Sequence, residues 1–142
     1  MKMESTADII RASAIIINDK YEILLSRNVG SKNWHTLGGK IEQNENSVQT
    51  LIRELREELD IRIEITEEIY AISSVFPAAN KPGKTVLIYY HFCKMLDKPK
   101  LIENVEEIRW FSKSDLESGK YEFAESTRNF LLPKLIADNR IL

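Results

Sequence analysis

Gly39-Lys-Ile-Glu-Gln-Asn-Glu-Asn-Ser-Val-Gln-Thr-Leu-Ile-Arg-Glu-Leu-Arg-Glu-Glu-Leu-Asp-Ile61 is the stretch on which the reading of this chain turns. From Val48 to Leu59 it holds no Gly or Pro, and Val48, Leu51, Ile52, Leu55 and Leu59 recur at helical spacing. At about 100° per residue these side chains form one apolar stripe, which predicts a helix with that face buried. On the same wheel Glu54, Glu57 and Glu58 gather in a wedge about 100° wide, clear of the stripe. Arg53 borders the wedge, four residues before Glu57 and able to reach it. Like charges three and four residues apart weaken a helix by a few tenths of a kcal/mol per pair. Two readings of the acids follow. They form a solvated face in a chain that is 30% charged, or they form a site for a hard divalent cation such as Mg²⁺ or Mn²⁺, which takes oxygen ligands.

The residues upstream favour the second reading. Gly39, Glu45, Arg53, Glu54, Leu55, Glu57, Glu58 and Ile61 stand in the register of a longer pattern: Gly, five residues, Glu, seven residues, Arg-Glu, an aliphatic, any residue, Glu-Glu, any residue, Gly, aliphatic. In this the chain resembles the Nudix hydrolases over nearly its whole length. The resemblance implies an α/β fold, an α/β/α sandwich with the acid-bearing helix over a mixed sheet. It also implies hydrolysis of a nucleoside diphosphate linked to a further group X, with Mg²⁺ as cofactor and Mn²⁺ able to substitute. Glu54, Glu57 and Glu58 are then the catalytic acids and metal ligands, joined by Gly39 and by a carboxylate from Glu103, Glu106 or Glu107, of which Glu106 is favoured. Arg53 and Glu45 form an ion pair that fixes the helix against the Gly39 turn. Arg27, Trp34, Gly38 and Lys40 are the implied substrate contacts. Oxidised nucleoside triphosphates, nucleotide sugars, ADP-ribose and dinucleoside polyphosphates all fit the pattern. The alternative is a Nudix-like domain that binds or senses a nucleotide without cleaving it.

One position departs from the signature, and a second departure lies just outside it. Asp60 stands where the family has Gly, just past the predicted helix end, where a left-handed residue commonly closes the last turn. Asp tolerates that conformation through local hydrogen bonds, so the exchange predicts a small loss of stability and little change in chemistry. Leu37 stands where Pro often precedes the two glycines, which loosens the entry to the Gly38-Gly39 turn.

With 142 residues the chain reads as one domain, 1–142, large enough to bury a core. A formal net charge of -2 and a pI of about 5.8 supply no global basic field, so the expected partner is a small nucleotide and not a nucleic acid polymer. Cys93 is the only cysteine, sits in an apolar run and reads as a buried thiol in a reducing compartment. Met1 to Asp8 lack the pattern of a signal peptide, and no apolar run reaches membrane-spanning length. These features predict a cytoplasmic protein with no membrane contact, acting as a monomer or homodimer.

In chain order, Ile9 to Ile17 and Tyr21 to Arg27 read as a β-hairpin about Asn18-Asp19-Lys20. Trp34 to Leu37 is a short strand leading into the glycines, with Trp34 and His35 available to line a base pocket. After the helix, Ile61 to Phe76 gives one or two strands with a break at Thr66-Glu67-Glu68. Pro77 to Lys84 is a loop whose two lysines suit a lip over a phosphate site. Thr85 to Leu96 is a long strand, Asp97 to Lys100 a turn, and Ile108 to Phe111 a further strand. Ser112 and Asp115 form a capping box for a short helix ending near Gly119. Ala124 to Asp138 is a closing helix that Pro133 kinks or restarts.

Overall fold

The computed structural model describes residues 7–78 and 81–142. Its strands are β1 (Ile9–Ile15), β2 (Ile23–Asn28), β3 (Asn33–His35), β4 (Leu37–Lys40), β5 (Ile63–Ile72), β6 (Phe76–Pro77), β7 (Thr85–Met95), β8 (Val105–Phe111) and β9 (Glu122–Phe123). The helices are α1 (Ser47–Leu59), α2 (Lys113–Glu117) and α3 (Leu132–Ala137), the last preceded by a π-helical turn over Thr127–Leu131. One sheet runs β4-β1-β7-β5 with β6 on β7, and a second runs β8-β2-β3-β9. Each is mixed: β1 and β7 are parallel in the first and β3 and β9 in the second, while their other pairings are antiparallel.

Alternation along β1 shows how two helical layers enclose the strands. Ala12, Ala14 and Ile16 pack with Leu51, Leu55 and Leu59 of α1. Ile15 faces the other way, into the cluster holding Tyr90, Phe111, Leu131 and Leu135. The result is the expected α/β/α sandwich. Of the predicted apolar stripe of α1, Leu51, Leu55 and Leu59 are fully buried, Val48 is partly buried, and Ile52 is exposed. Thr50 is buried as well, on the side of the acids, where its hydroxyl donates to Glu45 and the Asn46 carbonyl.

The hairpin reading is corrected. Ile17 and Ile23 form a single bridge, and Leu24 N–H reaches the Ile16 carbonyl at 2.9 Å, but the two strands then part into different sheets. The edge of β1 that a hairpin would use is taken by β4, with Ala12 opposite Gly39 and Ser13 opposite Gly38. Only glycine permits this approach: a Cβ on Gly38 would stand 2.0 Å from the Ala12 carbonyl oxygen, and its φ is +149°. The single strand expected from Trp34 to Leu37 likewise divides at Thr36, passing from one sheet to the other.

The expected break at Thr66-Glu67-Glu68 is an irregularity within one strand, β5, whose register shifts between Ile65 and Glu67 and again before Ala71. Pro77 pairs with Thr85 in the sheet, and of the predicted loop after it residues 79–80 lie outside the described residues, as do residues 1–6 of the leading segment. The Ser112–Asp115 capping box is present. Pro133 restarts the closing helix: Leu132 N–H bonds to the Thr127 carbonyl five residues back, so the π turn absorbs the hydrogen bond that proline cannot donate.

Candidate active site

Helix α1 begins on an Asn46 capping box, its side chain accepting from the Gln49 N–H while Gln49 returns the bond to the Asn46 amide. The helix ends at Asp60, which is left-handed with φ 53° and ψ 44°, as the signature departure predicts. Among the described residues its side chain has only long contacts, to Arg56 at 3.7 Å and Lys100 at 3.8 Å.

Arg53 is the hub of the acid cluster. Its Nε donates to Glu45 at 2.6 Å, and its Nη1 donates to Glu54 at 2.8 Å and to Glu57 at 3.2 Å. Nη2 donates to a Glu45 oxygen at 3.0 Å and to the Lys40 carbonyl at 3.3 Å. One guanidinium thus ties the glycine strand, the loop before the helix and two acids of the wedge together. The Arg53 bond holds the Glu45 carboxyl down at about 2. Gly39 sits beneath Glu54, where a side chain would collide with the carboxyl group. Burial raises Glu54 above the ordinary carboxylate range against the pull of Arg53. Glu58 lies deeper: burial, with added repulsion from Glu54 and Glu103, pushes it up to about 7 against the opposing charge of Arg11.

These acids suit a divalent cation in chemistry, being hard oxygen donors of which two are raised by burial that a bound cation would offset. Among the described residues no three acidic, histidine or cysteine side chains are gathered closely enough to hold an ion as they stand. The reason is visible in the cluster, since Arg53 draws Glu54 and Glu57 toward itself. Freeing Glu57, whose side chain is 45% exposed, breaks a pair worth at most about 1 kcal/mol. Of the three downstream acids, Glu103 is the one whose charge is felt at Glu58. Glu106 is exposed on β8, and Glu107 is paired with Arg27 at 3.1 Å.

Beside the acids opens a cavity of about 590 Å³ lined in part by Arg11, His35, Lys40, Lys81, Lys84 and Ser126, within the usual range for small-ligand sites. Of the expected substrate contacts, Lys40 borders it. Arg27 and Trp34 are not in its lining. Arg27 bonds to Glu107 and the Ser31 carbonyl and lies over the Trp34 ring, and Trp34 packs edge-on against Phe111 in the core. Gly38 supports the close pairing of β4 with β1. His35 does line the cavity, and burial lowers it to about 4. Arg11 was not legible as a site residue: a lone arginine in a strand carries no pattern.

A clamp of arginine and glutamates on a helix, laid over a glycine strand in an α/β/α sandwich and next to a cation-lined cavity, suits a phosphorylated, anionic ligand. The model of the NUDIX domain matches residues 8–132, and the chain belongs to the Nudix family. Its fold is similar to that of the MutT protein from Methanosarcina mazei Go1, with 25% identity, a TM-score of 0.75 and coverage of 92% of this chain and 94% of that one. It is similar also to a UDP-X diphosphatase, at 19% identity and a TM-score of 0.70, covering 96% of this chain and 64% of that one. Among curated proteins it is 27% identical over 121 residues to the mRNA-decapping enzyme subunit 2 of Saccharomyces cerevisiae, which spans 80% of this chain and only 12% of that protein's length. Hydrolases of this family cleave pyrophosphate bonds in nucleotide-containing small molecules and generally use divalent metals. Among the described residues no helix is long and apolar enough to cross a membrane.

Proposed function

We propose that this chain hydrolyses the diphosphate bond of a small nucleoside diphosphate linked to a group X, with water attacking phosphorus directly. The observation that carries this reading is a pair of acids, Glu54 and Glu58, partly buried and raised above the ordinary carboxylate range by that burial, on the helix tied to β4, whose Lys40 borders a cation-lined cavity. Glu54, Glu57 and Glu58, with the backbone at Gly39, would hold a divalent cation, Mg²⁺ or Mn²⁺, which would supply charge neutralisation at the diphosphate and acidify a bound water. Arg53 and Glu45 hold α1 against β4, which keeps the acid face of the helix beside the glycine strand. The lining of Arg11, Lys40, Lys81 and Lys84 favours an anionic substrate, and the apolar floor of Ile9, Val86 and Ile88 accepts its uncharged part. Phosphoryl chemistry of this kind needs positioning and charge neutralisation more than covalent steps.

The test is a panel of nucleotide sugars, ADP-ribose, nucleoside triphosphates and dinucleoside polyphosphates, incubated with the protein and Mg²⁺ in heavy-oxygen water. The expected result is cleavage of at least one compound, one labelled oxygen in a phosphate product and no reaction in excess EDTA. A phosphorylated or nucleotidylated protein, or cleavage that continues in EDTA, overturns the reading.

A further inference from the structure

The cavity is cationic within a chain of net charge -2. Asp8 is the one acid in its lining among the described residues, and that carboxylate already accepts from the Thr85 N–H at 3.0 Å and hydroxyl at 3.1 Å. Lys40, Lys81 and Lys84 are exposed, whereas Arg11 is partly buried, set in β1 between Lys40 of β4 and Ile88 of β7. Its guanidinium is oriented by neutral groups alone: Nη2 donates to the Thr36 carbonyl at 3.2 Å and Nε to the Ser13 hydroxyl at 3.4 Å. No carboxylate pairs with it among the described residues. Glu54 and Glu58 act on it only through space, so a ligand oxyanion would supply the direct partner that this partly buried cation lacks. Its field also reaches both sides of the site, opposing the burial that raises Glu58 on α1 and adding to the burial that lowers His35 in the cavity. Arg27 differs on each count, being paired with Glu107, bonded to Ser31 and stacked on Trp34.

We propose that Arg11 is the residue that positions the substrate, its guanidinium taking an oxyanion of the diphosphate at the boundary between the acid helix and the cavity. The planar fork suits a phosphate oxygen pair, and its two neutral bonds hold it in place before the substrate arrives. This rests on the diphosphate-hydrolase reading above. Arg11 is a positioning residue, and it acts whether or not a metal is bound.

The experiment is calorimetric titration of ADP in EDTA into the wild type, Arg11→Gln, Arg11→Lys and Arg27→Gln, each checked for folding by its melt. Arg11→Gln is expected to weaken ADP binding at least tenfold, and Arg11→Lys at least threefold because it keeps the charge but not the fork. Arg27→Gln is expected to lose less than Arg11→Gln. Wild-type affinity in a folded Arg11→Gln overturns the proposal, as does a larger loss in Arg27→Gln or no measurable binding by the wild type. If the glutamine variant does not fold, the lysine variant decides, and unchanged affinity there overturns the proposal. ADP binding that depends on Arg11 in a protein that cleaves no diphosphate would overturn the hydrolase reading alone.

Discussion

Gly39 lies directly beneath the Glu54 carboxyl group: a Cβ built on it would stand 2.2 Å from the carboxyl carbon and 2.6 Å from an oxygen. The glycine is therefore required by the acid above it. Gly39→Ala is expected to push Glu54 off its bond to Arg53 and to destabilise the protein by about 1–3 kcal/mol through overpacking. Turnover should fall by about a hundredfold, since misplacing a site group by roughly 1 Å has effects of that size. Urea unfolding and steady-state kinetics check both, and an alanine variant with wild-type turnover would show that the contact is incidental.

That relationship also marks how much of the site was legible in the sequence. The spacing of Gly39, Glu45, Arg53, Glu54, Glu57 and Glu58 anticipated the helix, its cap at Asp60 and the Arg53 clamp, because each is a local or near-local contact with its own periodicity. What the sequence did not disclose was long-range. The hairpin reading failed because nothing local to Ile9 to Arg27 says that β4 will take the edge of β1. Arg11 was missed because its place in the cavity depends on β4, β7 and the Thr36 crossing, which meet only in the fold. Trp34, expected at a base pocket, is absorbed by Phe111, a partner from the other end of the chain.

Two buried groups titrate against each other in the metal-free protein. Burial raises Glu58 from 4.5 to about 7, so the folded state holds a proton the unfolded chain has lost, and stability falls as pH rises through that window. Burial lowers His35 from 6.5 to about 4, so the unfolded chain holds the extra proton and stability rises over the overlapping window. The wild type in EDTA is expected to have a nearly flat melting temperature between about pH 4.5 and 6.5, since the two slopes oppose. Glu58→Gln should expose the rising histidine slope, and His35→Asn the falling one, each amounting to at most about 3 kcal/mol across its window. Melts in EDTA at half-unit pH steps check this, and parallel profiles for both variants would contradict it.

Asp60 holds φ 53° with two long, exposed ion pairs at 3.7 and 3.8 Å. Pairs of that kind contribute little, while a left-handed non-glycine residue carries a penalty of about 1 kcal/mol. Glycine also has a more flexible unfolded state, which offsets part of the gain. Asp60→Gly is therefore expected to stabilise the protein by a few tenths to about 1 kcal/mol with activity unchanged. A clear loss of stability in chemical unfolding would mean that the Arg56 and Lys100 contacts outweigh the backbone strain.

Glu57 separates a catalytic acid cluster from a structural one, because it is the most exposed partner of Arg53. Without metal it gains one bond to Arg53, at 3.2 Å, worth about 0.2–1 kcal/mol at an exposed site. It also repels Glu54, three residues before it, at a cost of similar size. Glu57→Gln should therefore leave metal-free stability within about 0.5 kcal/mol of the wild type. Arg53 keeps Glu45 and Glu54, so the clamp survives the change. With Mg²⁺ the order should separate, since a cation bound to the folded state alone stabilises it by linkage, and a variant with weaker affinity gains less. Turnover should fall by orders of magnitude if the carboxylate serves the cation that neutralises the diphosphate. Thermal melts with and without Mg²⁺, run beside kinetics on both proteins, test the three parts together. If Glu57→Gln unfolds the metal-free protein yet the folded fraction keeps wild-type turnover, the acids are scaffold and the proposed chemistry has to be sought elsewhere in the cavity.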